Sequence, residues 1–215
     1  MRKQSYWPVI AGAAAAVLGA ALLGSNANGV EEPRYHVVEK HGNIELRDYA
    51  AMIVAEVQVP GEQYDALGNG FRIVADYIFG NNVSALKVAM TAPVTQQGRE
   101  KIAMTAPVTQ QGEGHDWQVR FIMPAGSTLE TLPKPNNPAV VLRAVGSKRF
   151  AVIRFSGWAR EGSLNRHSAE LDAFLSARKL RILSAPTYAF YDPPWTLPFF
   201  RRNEVMVEIA PTVPS

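Results

Sequence analysis

Residues 51–61 run Ala51-Met-Ile-Val-Ala-Glu-Val-Gln-Val-Pro-Gly61, and residues 62–80 follow as Glu62-Gln-Tyr-Asp-Ala-Leu-Gly-Asn-Gly-Phe-Arg-Ile-Val-Ala-Asp-Tyr-Ile-Phe-Gly80. The apolar period changes between the two stretches. Ile53, Ala55, Val57 and Val59 alternate with other side chains, which is the period of a strand with one buried face. After Pro60-Gly61 the apolar positions fall at Tyr64, Leu67, Phe71, Val74, Ala75 and Ile78, the 3.6-residue period of an amphipathic helix. Gly80-Asn81-Asn82 ends that helix. A strand leading into a helix of this length is half of a sheet-and-helix unit, and the rest of the chain shows what completes it.

Upstream, Val37 to Tyr49 has the pattern of a hairpin turning at His41-Gly42-Asn43, with Ile44 and Leu46 alternating against Glu45 and Arg47. Downstream come two extended segments, Lys101 to Val108 and Trp117 to Met123. Residues 126–138 hold Pro133, Pro135 and Pro138 and are expected to connect elements rather than form one. The order then repeats. Ala139 to Val145 and Phe150 to Phe155 are expected to pair around Gly146-Ser147-Lys148. A second helix from about Ser163 carries Leu164, Leu171, Leu175 and Arg178 on one stripe, and Arg178, Lys179 and Arg181 lie near its end, where the helix dipole favours cations. Thr187 to Tyr191 and Glu204 to Ile209 close the chain as strands. The pattern ββαββ, twice, predicts an α+β domain in which two helices cover a curved antiparallel sheet of about eight strands.

The N-terminus has a different character. Arg2 and Lys3 precede an uncharged stretch, Gln4 to Val30, whose apolar heart is Val9 to Leu23. This is the layout of an export signal, with Ser25-Asn26-Ala27 offering small residues for cleavage after residue 27. The alternative is an uncleaved anchor, since Trp7 to Gly24 is 18 residues, close to the length of a membrane span. Either way the expected place of the domain is outside the cytoplasm, periplasmic or held at the membrane by residues 1–27, with residues 28–34 as linker and 35–210 as the domain.

Composition excludes several classes. The chain has 215 residues and no Cys, so disulfide scaffolds, thiol nucleophiles, thiolate metal sites and covalent haem attachment are out. Lys and Arg number 22 against 19 Asp and Glu, and Arg2 and Lys3 supply most of that excess, so no nucleic-acid partner is expected. No G-x-S-x-G, H-E-x-x-H or phosphate loop occurs, and no catalytic residue can be nominated.

Three features carry information about binding. Lys87-Val-Ala-Met-Thr-Ala-Pro-Val-Thr-Gln-Gln-Gly98 recurs 14 residues later as Lys101-Ile-Ala-Met-Thr-Ala-Pro-Val-Thr-Gln-Gln-Gly112. Pro93 and Pro107 cannot donate to a sheet ladder, so one copy is expected to form strand and the other to lengthen a loop; Met90 or Met104 facing a ligand is the alternative. The tail, Tyr191-Asp-Pro-Pro-Trp-Thr-Leu-Pro-Phe-Phe-Arg-Arg-Asn-Glu-Val205, presents Trp195, Phe199 and Phe200 on a proline-stiffened loop beside Arg201 and Arg202. It either rims an apolar pocket for an anionic ligand or packs back on the sheet. Gly68 and Gly70 each cost about 1 kcal/mol inside a helix, which suits the close approach of either a neighbouring strand or a flat ring.

Tyr35…Ile44-Glu-Leu-Arg-Asp-Tyr49, Tyr77-Ile-Phe-Gly-Asn-Asn82, the Lys-Ile-Ala-Met-Thr-Ala-Pro-Val block and Tyr191-Asp-Pro-Pro-Trp…Arg-Arg-Asn-Glu-Val205, in this order, resemble the SOUL haem-binding protein family from Tyr35 to Ile209. Doubling of the Met-Thr-Ala-Pro-Val block is similar to bacterial members. The resemblance implies a distorted antiparallel barrel with two helices and a pseudo-twofold repeat. It also implies non-covalent binding of haem or a related tetrapyrrole, for transport, buffering or sensing. The same barrel resembles effector-binding domains that take other flat hydrophobic molecules, and some relatives of it act as hydrolases on small ligands.

On this basis Phe71, Val74, Ala75 and Ile78 of the first helix are expected to line a pocket with Trp195 and Phe199, and Arg72, Arg201 or Arg202 to meet propionates. Gly68 and Thr196 stand where some relatives carry basic residues. Asp48 stands where some carry a His, and a carboxylate is an unusual haem ligand. His36, His41, His115 and His167 show no zinc-like spacing, so haem would be held by apolar contact rather than by an axial side chain.

Overall fold

The computed structural model describes residues 30–85, 99–193 and 195–211. The expected export signal or anchor, residues 1–27, as well as Met90 and the first repeat copy, 87–98, lie outside the described residues. In chain order the elements are β1 (Tyr35–His41), β2 (Ile44–Tyr49), β3 (Met52–Pro60), α1 (Gln63–Ile78), β4 (Asn82–Val83), β5 (Val108–Glu113), β6 (Asp116–Ile122), β7 (Lys134–Pro135), β8 (Val141–Val145), β9 (Lys148–Phe155), α2 (Glu161–Ala177), β10 (Thr187–Phe190) and β11 (Asn203–Glu208). Nine strands form one curled antiparallel sheet, an open half-barrel, in the order β1-β2-β9-β11-β10-β5-β6-β3-β8. β4 and β7 form a small separate pair, so the proline-rich connector does contain one short strand.

The expected hairpin between β8 and β9 does not form. β8 pairs with β3 at the sheet edge, whereas β9 lies between β2 and β11. β2 and β3 part company in the same way. Alternation shows that a segment is extended, but a short turn between two such segments does not oblige them to pair. The consequence is a crossed twofold. From β2 to β8 the order is unchanged when β2, β3, β5 and β6 are exchanged for β8, β9, β10 and β11 and the direction is reversed. The axis runs between β10 and β5, and the first strand of each half is lent to the other half. α1 packs on β3 and β6, and α2 on the equivalent β9 and β11.

Strand alternation divides the sheet into two faces. Leu46, Ala55, Val57, Val119, Phe121, Ala151, Ile153, Val205 and Val207 face the helices and form the main core with Val74, Tyr77, Ile78, Leu164, Leu171 and Leu175. The α2 stripe holds at Leu164, Leu171 and Leu175, with His167 added to it, but Arg178 is exposed just past the helix end, where it donates to Glu39. α1 is turned relative to expectation: its buried residues are Ala66, Gly70, Val74, Ala75, Tyr77 and Ile78, while Tyr64 is exposed and Phe71 only half-buried. Small residues decide this rotation. A Cβ on Gly70 would stand 2.5 Å from a methyl of Val119, so the helix can approach β6 this closely only where residue 70 has no side chain.

The expected extended segment from Lys101 becomes strand only at Val108, directly after Pro107, because β5 is interior to the sheet and each residue within it must donate to its ladder. The second repeat copy thus supplies the strand.

Candidate functional site

Three surfaces bear on binding. The first is the outer flank of α1. Tyr64, Gly68, Phe71 and Arg72 succeed one another at i, i+4, i+7 and i+8, on one side of the helix. Phe71 is tilted against buried Phe121, with ring centroids 5.2 Å apart, and remains 37% exposed. A Cβ at Gly68 would meet nothing within 4 Å, so bare helix backbone is exposed between the aromatic side chains. The two glycines therefore divide the roles left open by the sequence: Gly70 admits a strand, and Gly68 leaves a notch. Arg72 donates from Nη2 to Asn69 Oδ1 one turn earlier. Val74, Ala75 and Ile78, expected to line the pocket, are instead buried against the sheet, because the turned helix directs them inward.

The second surface is the tail. Trp195, Phe199 and Phe200 are exposed, and Pro198–Phe200 forms a short 3-10 turn. Its partners lie in the loop from β9 to α2. Gly157 N–H donates to Pro198 O at 2.8 Å, Asn203 Nδ2 donates to Gly157 O at 3.1 Å, and the Arg201 guanidinium lies 4.4 Å from the Trp158 ring centroid. Arg201 Nε also donates to Thr196 O at 2.7 Å. Neither a hydrogen bond nor a ring contact joins the tail to α1 among the described residues. Trp195, Phe199 and Arg201 thus form one group, and Phe71 and Arg72 another. Trp158, which completes the tail cluster, was not singled out by the sequence; only its place in the turn Ser156-Gly157-Trp158-Ala159 after an apolar strand could have signalled exposure.

The third is the sheet face turned away from the helices, where Glu204 is fully buried. Its carboxylate accepts from Arg47 Nη1 at 3.0 Å, Arg202 Nε at 3.0 Å and the Tyr191 hydroxyl at 2.8 Å. Arg47 also donates to Tyr49 and Glu45, and lies 4.5 Å from the Tyr35 ring centroid. Arg202 Nη1 donates to both oxygens of Glu32 at 3.0 Å, so residues 30–34 are docked on the domain rather than hanging from it as a linker. Burial pushes the phenols of Tyr49 and Tyr191 well above their ordinary range, with Glu204 adding to the shift, so both remain neutral. Burial opposes the charge on Arg47, but Glu204 beside it outweighs that and keeps the guanidinium protonated.

Two open clefts complete the surface. One, of about 610 Å³, is lined by Tyr35, His36, Asp48, Tyr49 and Arg149 among others. The other, of about 720 Å³, lies beside Glu32, Met52, Ile53 and Ile122. Neither includes any of the expected pocket residues. Asp48 is held bidentately by Arg149 at 2.6 and 2.7 Å, and that guanidinium draws its carboxyl below the usual range. His36 is its cross-strand neighbour. His167 is buried, stacked 3.9 Å from the Phe155 centroid and bonded to Ser163 O at 2.7 Å, which is a structural role. His41 lies between Glu39 and Arg178, and exposed His115 near Glu62. His115 thus stands at the N-terminal end of α1, and among the described residues no His is bonded to, or in ring contact with, Tyr64, Phe71 or Arg72.

A model of the SOUL haem-binding protein family matches residues 30–208. The chain belongs to the SOUL family. No curated protein matches it in sequence. Among solved structures, the C-terminal domain of EcmrR is similar at 10% identity and a TM-score of 0.55, over 79% of this chain and 98% of that one. A hydrolase from Listeria innocua is similar at 14% identity and a TM-score of 0.51, over 80% of this chain and 94% of that one. At such identities the likeness is one of fold, and it extends this SOUL domain's half-barrel to proteins of unlike description.

Proposed function

We propose that this SOUL domain binds haem or a related tetrapyrrole non-covalently on the outer flank of α1, outside the cytoplasm, as a carrier, buffer or sensor. Gly68 is the observation that carries the placement. A flat macrocycle needs a flat, apolar and accessible seat, and a residue without a side chain, between Tyr64 and Phe71, supplies one. Aromatic faces stack on the ring and Arg72 is placed for a propionate. Bound haem would bring a redox-active iron and its Soret absorption. No His, Met or Cys belongs to the flank, so retention is assigned to apolar contact, which contributes roughly 25 cal/mol per Å² buried. The same reasoning admits another flat hydrophobic ligand, since the flank makes no demand for iron.

Titration of the purified chain with haemin, followed at the Soret band, tests this. Saturation at micromolar protein is expected, with Phe71→Ala weakening binding by about tenfold. Gly68→Leu should abolish the shift while leaving the helix at least as stable. Metal-free protoporphyrin should bind nearly as well as haemin. A Soret shift that survives Phe71→Ala and Gly68→Leu but disappears with His36→Ala would transfer the site to the cleft around Asp48 and make ligation its basis.

A further inference from the structure

We propose that the end of the sheet bearing Trp158, Trp195, Leu197, Phe199 and Phe200 is a docking surface for an anionic lipid bilayer. These five side chains are between 52% and 82% exposed, and they belong to two loops that are fastened together. Gly157 N–H is bonded to Pro198 O, and Arg201 lies over Trp158. Folded domains rarely leave so much aromatic surface in water without a use for it. Its chemistry selects the partner. Residues 157–160 and 195–201 contain Arg160 and Arg201 and no acidic residue. Arg160 lies 5.4 Å from the Trp158 centroid and Arg201 lies 4.4 Å from it. Trp and Phe with guanidinium groups among them suit the headgroup layer, where rings enter the acyl boundary and cations meet anionic lipid.

The course of the chain points the same way. Glu31 bridges to Thr105, and Glu32 is bonded to Arg202, next to Arg201. Val30, the first described residue, therefore stands at the end that carries the aromatic cluster. Only residues 25–29 separate Val30 from the uncharged stretch 7–24. At ~3.5 Å per residue they reach about 20 Å at most. With residues 7–24 in a bilayer, the surface held against the headgroups is this one.

Reconstitution of the full chain into vesicles with brominated acyl chains tests the docking, because bromine quenches only tryptophan that enters the lipid. The probes are vesicles of phosphatidylcholine alone and of phosphatidylcholine with phosphatidylglycerol. Quenching is expected to fall with Trp195→Phe and by a smaller amount with Trp158→Phe, above an unchanged contribution from Trp7, which begins the uncharged stretch. Arg160→Gln with Arg201→Gln should remove the extra quenching that phosphatidylglycerol brings. Quenching unaffected by either tryptophan substitution would overturn the proposal. So would a Trp195→Phe chain with normal quenching but weakened haemin binding, since the tail would then be a second wall of the ligand site. Protection of both tryptophans by self-association in the absence of lipid would also refute it. The haemin titration of Trp195→Phe separates the two proposals: docking predicts an unaltered Soret response.

Discussion

Each half of the sheet carries, on the face turned away from the helices, a carboxylate between two arginines, but only one of these clusters is sealed. Glu204 lies with Arg47 and Arg202 beneath Tyr35, Tyr49, Tyr191 and the docked segment at Glu32. Glu56 accepts from Arg120 Nε and Arg143 Nε, each at 2.7 Å, with the arginine side chains 28% and 60% exposed. The pseudo-twofold gives both halves a similar frame, so the difference arises from what covers them. β1 is an extra edge strand beside β2, with no counterpart beside β8, and it brings Tyr35 over Arg47. Glu56 is itself buried, so what the added N-terminal stretch, β1 with residues 30–34, changes is the arginines: those of Glu204 are covered, and those of Glu56 stay open to solvent.

The largest expected effect breaks this comparison directly. Arg47→Met leaves Glu204 buried with one of its cations missing, and removal of one partner from a buried pair costs about 3–5 kcal/mol. Arg143→Met removes an arginine that is 60% exposed and leaves the buried Glu56 carboxylate bonded to Arg120, so the loss should be smaller, about 1 kcal/mol. For a domain of this size about 2–4 °C accompanies each kcal/mol. Thermal unfolding should therefore show a drop of roughly 10 °C for the first variant and roughly 3 °C for the second. Equal losses would mean that the two clusters are equally buried in solution.

Much of the frame was legible in the sequence. Period-two alternation in residues 53–59 and 117–123, and the 3.6 period in α1 and α2, mark elements that the structure contains. The pairing of those elements was not legible. The chain exchanges β2 and β8 between halves, and nothing in Val141–Val145 or Lys148–Phe155 distinguishes a hairpin from such a crossing. The candidate site was legible only as residues: Phe71 and Arg72 share an exposed flank, but Val74, Ala75 and Ile78 are buried, because an apolar stripe does not reveal which of its edges faces the core. That edge is set by Ala66 and Gly70, two residues too small to register as an apolar signal. The buried network was invisible for a different reason: Arg47 and Glu204 are 157 positions apart, and each sits in an ordinary alternating strand.

The helices offer a second comparison, and the glycines of α1 sharpen it. Both positions have helical backbone, so Ala should gain roughly 1 kcal/mol of propensity at either. At Gly68 the new methyl meets open space, and Gly68→Ala should raise stability by about that amount. At Gly70 the methyl meets Val119 at 2.5 Å, where the nearest atoms belong to the Cβ and a methyl of a fully buried side chain. Overpacking of this kind costs about 1–3 kcal/mol, so Gly70→Ala should be destabilising despite the propensity gain. Urea unfolding midpoints read both signs. A stabilised Gly70→Ala would show that α1 stands farther from β6 than the structure places it.

The smallest effect concerns acid, and it contrasts the exposed Asp48–Arg149 pair with the buried network. Arg149 beside it holds the Asp48 carboxyl below its unfolded value through two hydrogen bonds, with burial opposing. A carboxyl whose folded pKa is depressed contributes stability that is present above its unfolded pKa, near 3.9, and is lost as pH falls through the folded one. Asp48 is partly solvent-exposed, so the contribution is that of a surface pair and shrinks in salt. Asp48→Asn should accordingly lower the melting temperature by a small amount at pH 7. The gap to the unaltered chain should narrow as pH drops below about 4, where the unaltered Asp48 becomes protonated too. Raising ionic strength at pH 7 should narrow the same gap, and should do little to the loss caused by Arg47→Met, whose partners are screened from ions by Tyr35, Tyr49 and Tyr191. A gap that persists unchanged at pH 3 would mean that Asp48 acts through packing or its neutral hydrogen bonds, and that the charge on Arg149 is not what stabilises this edge of the sheet.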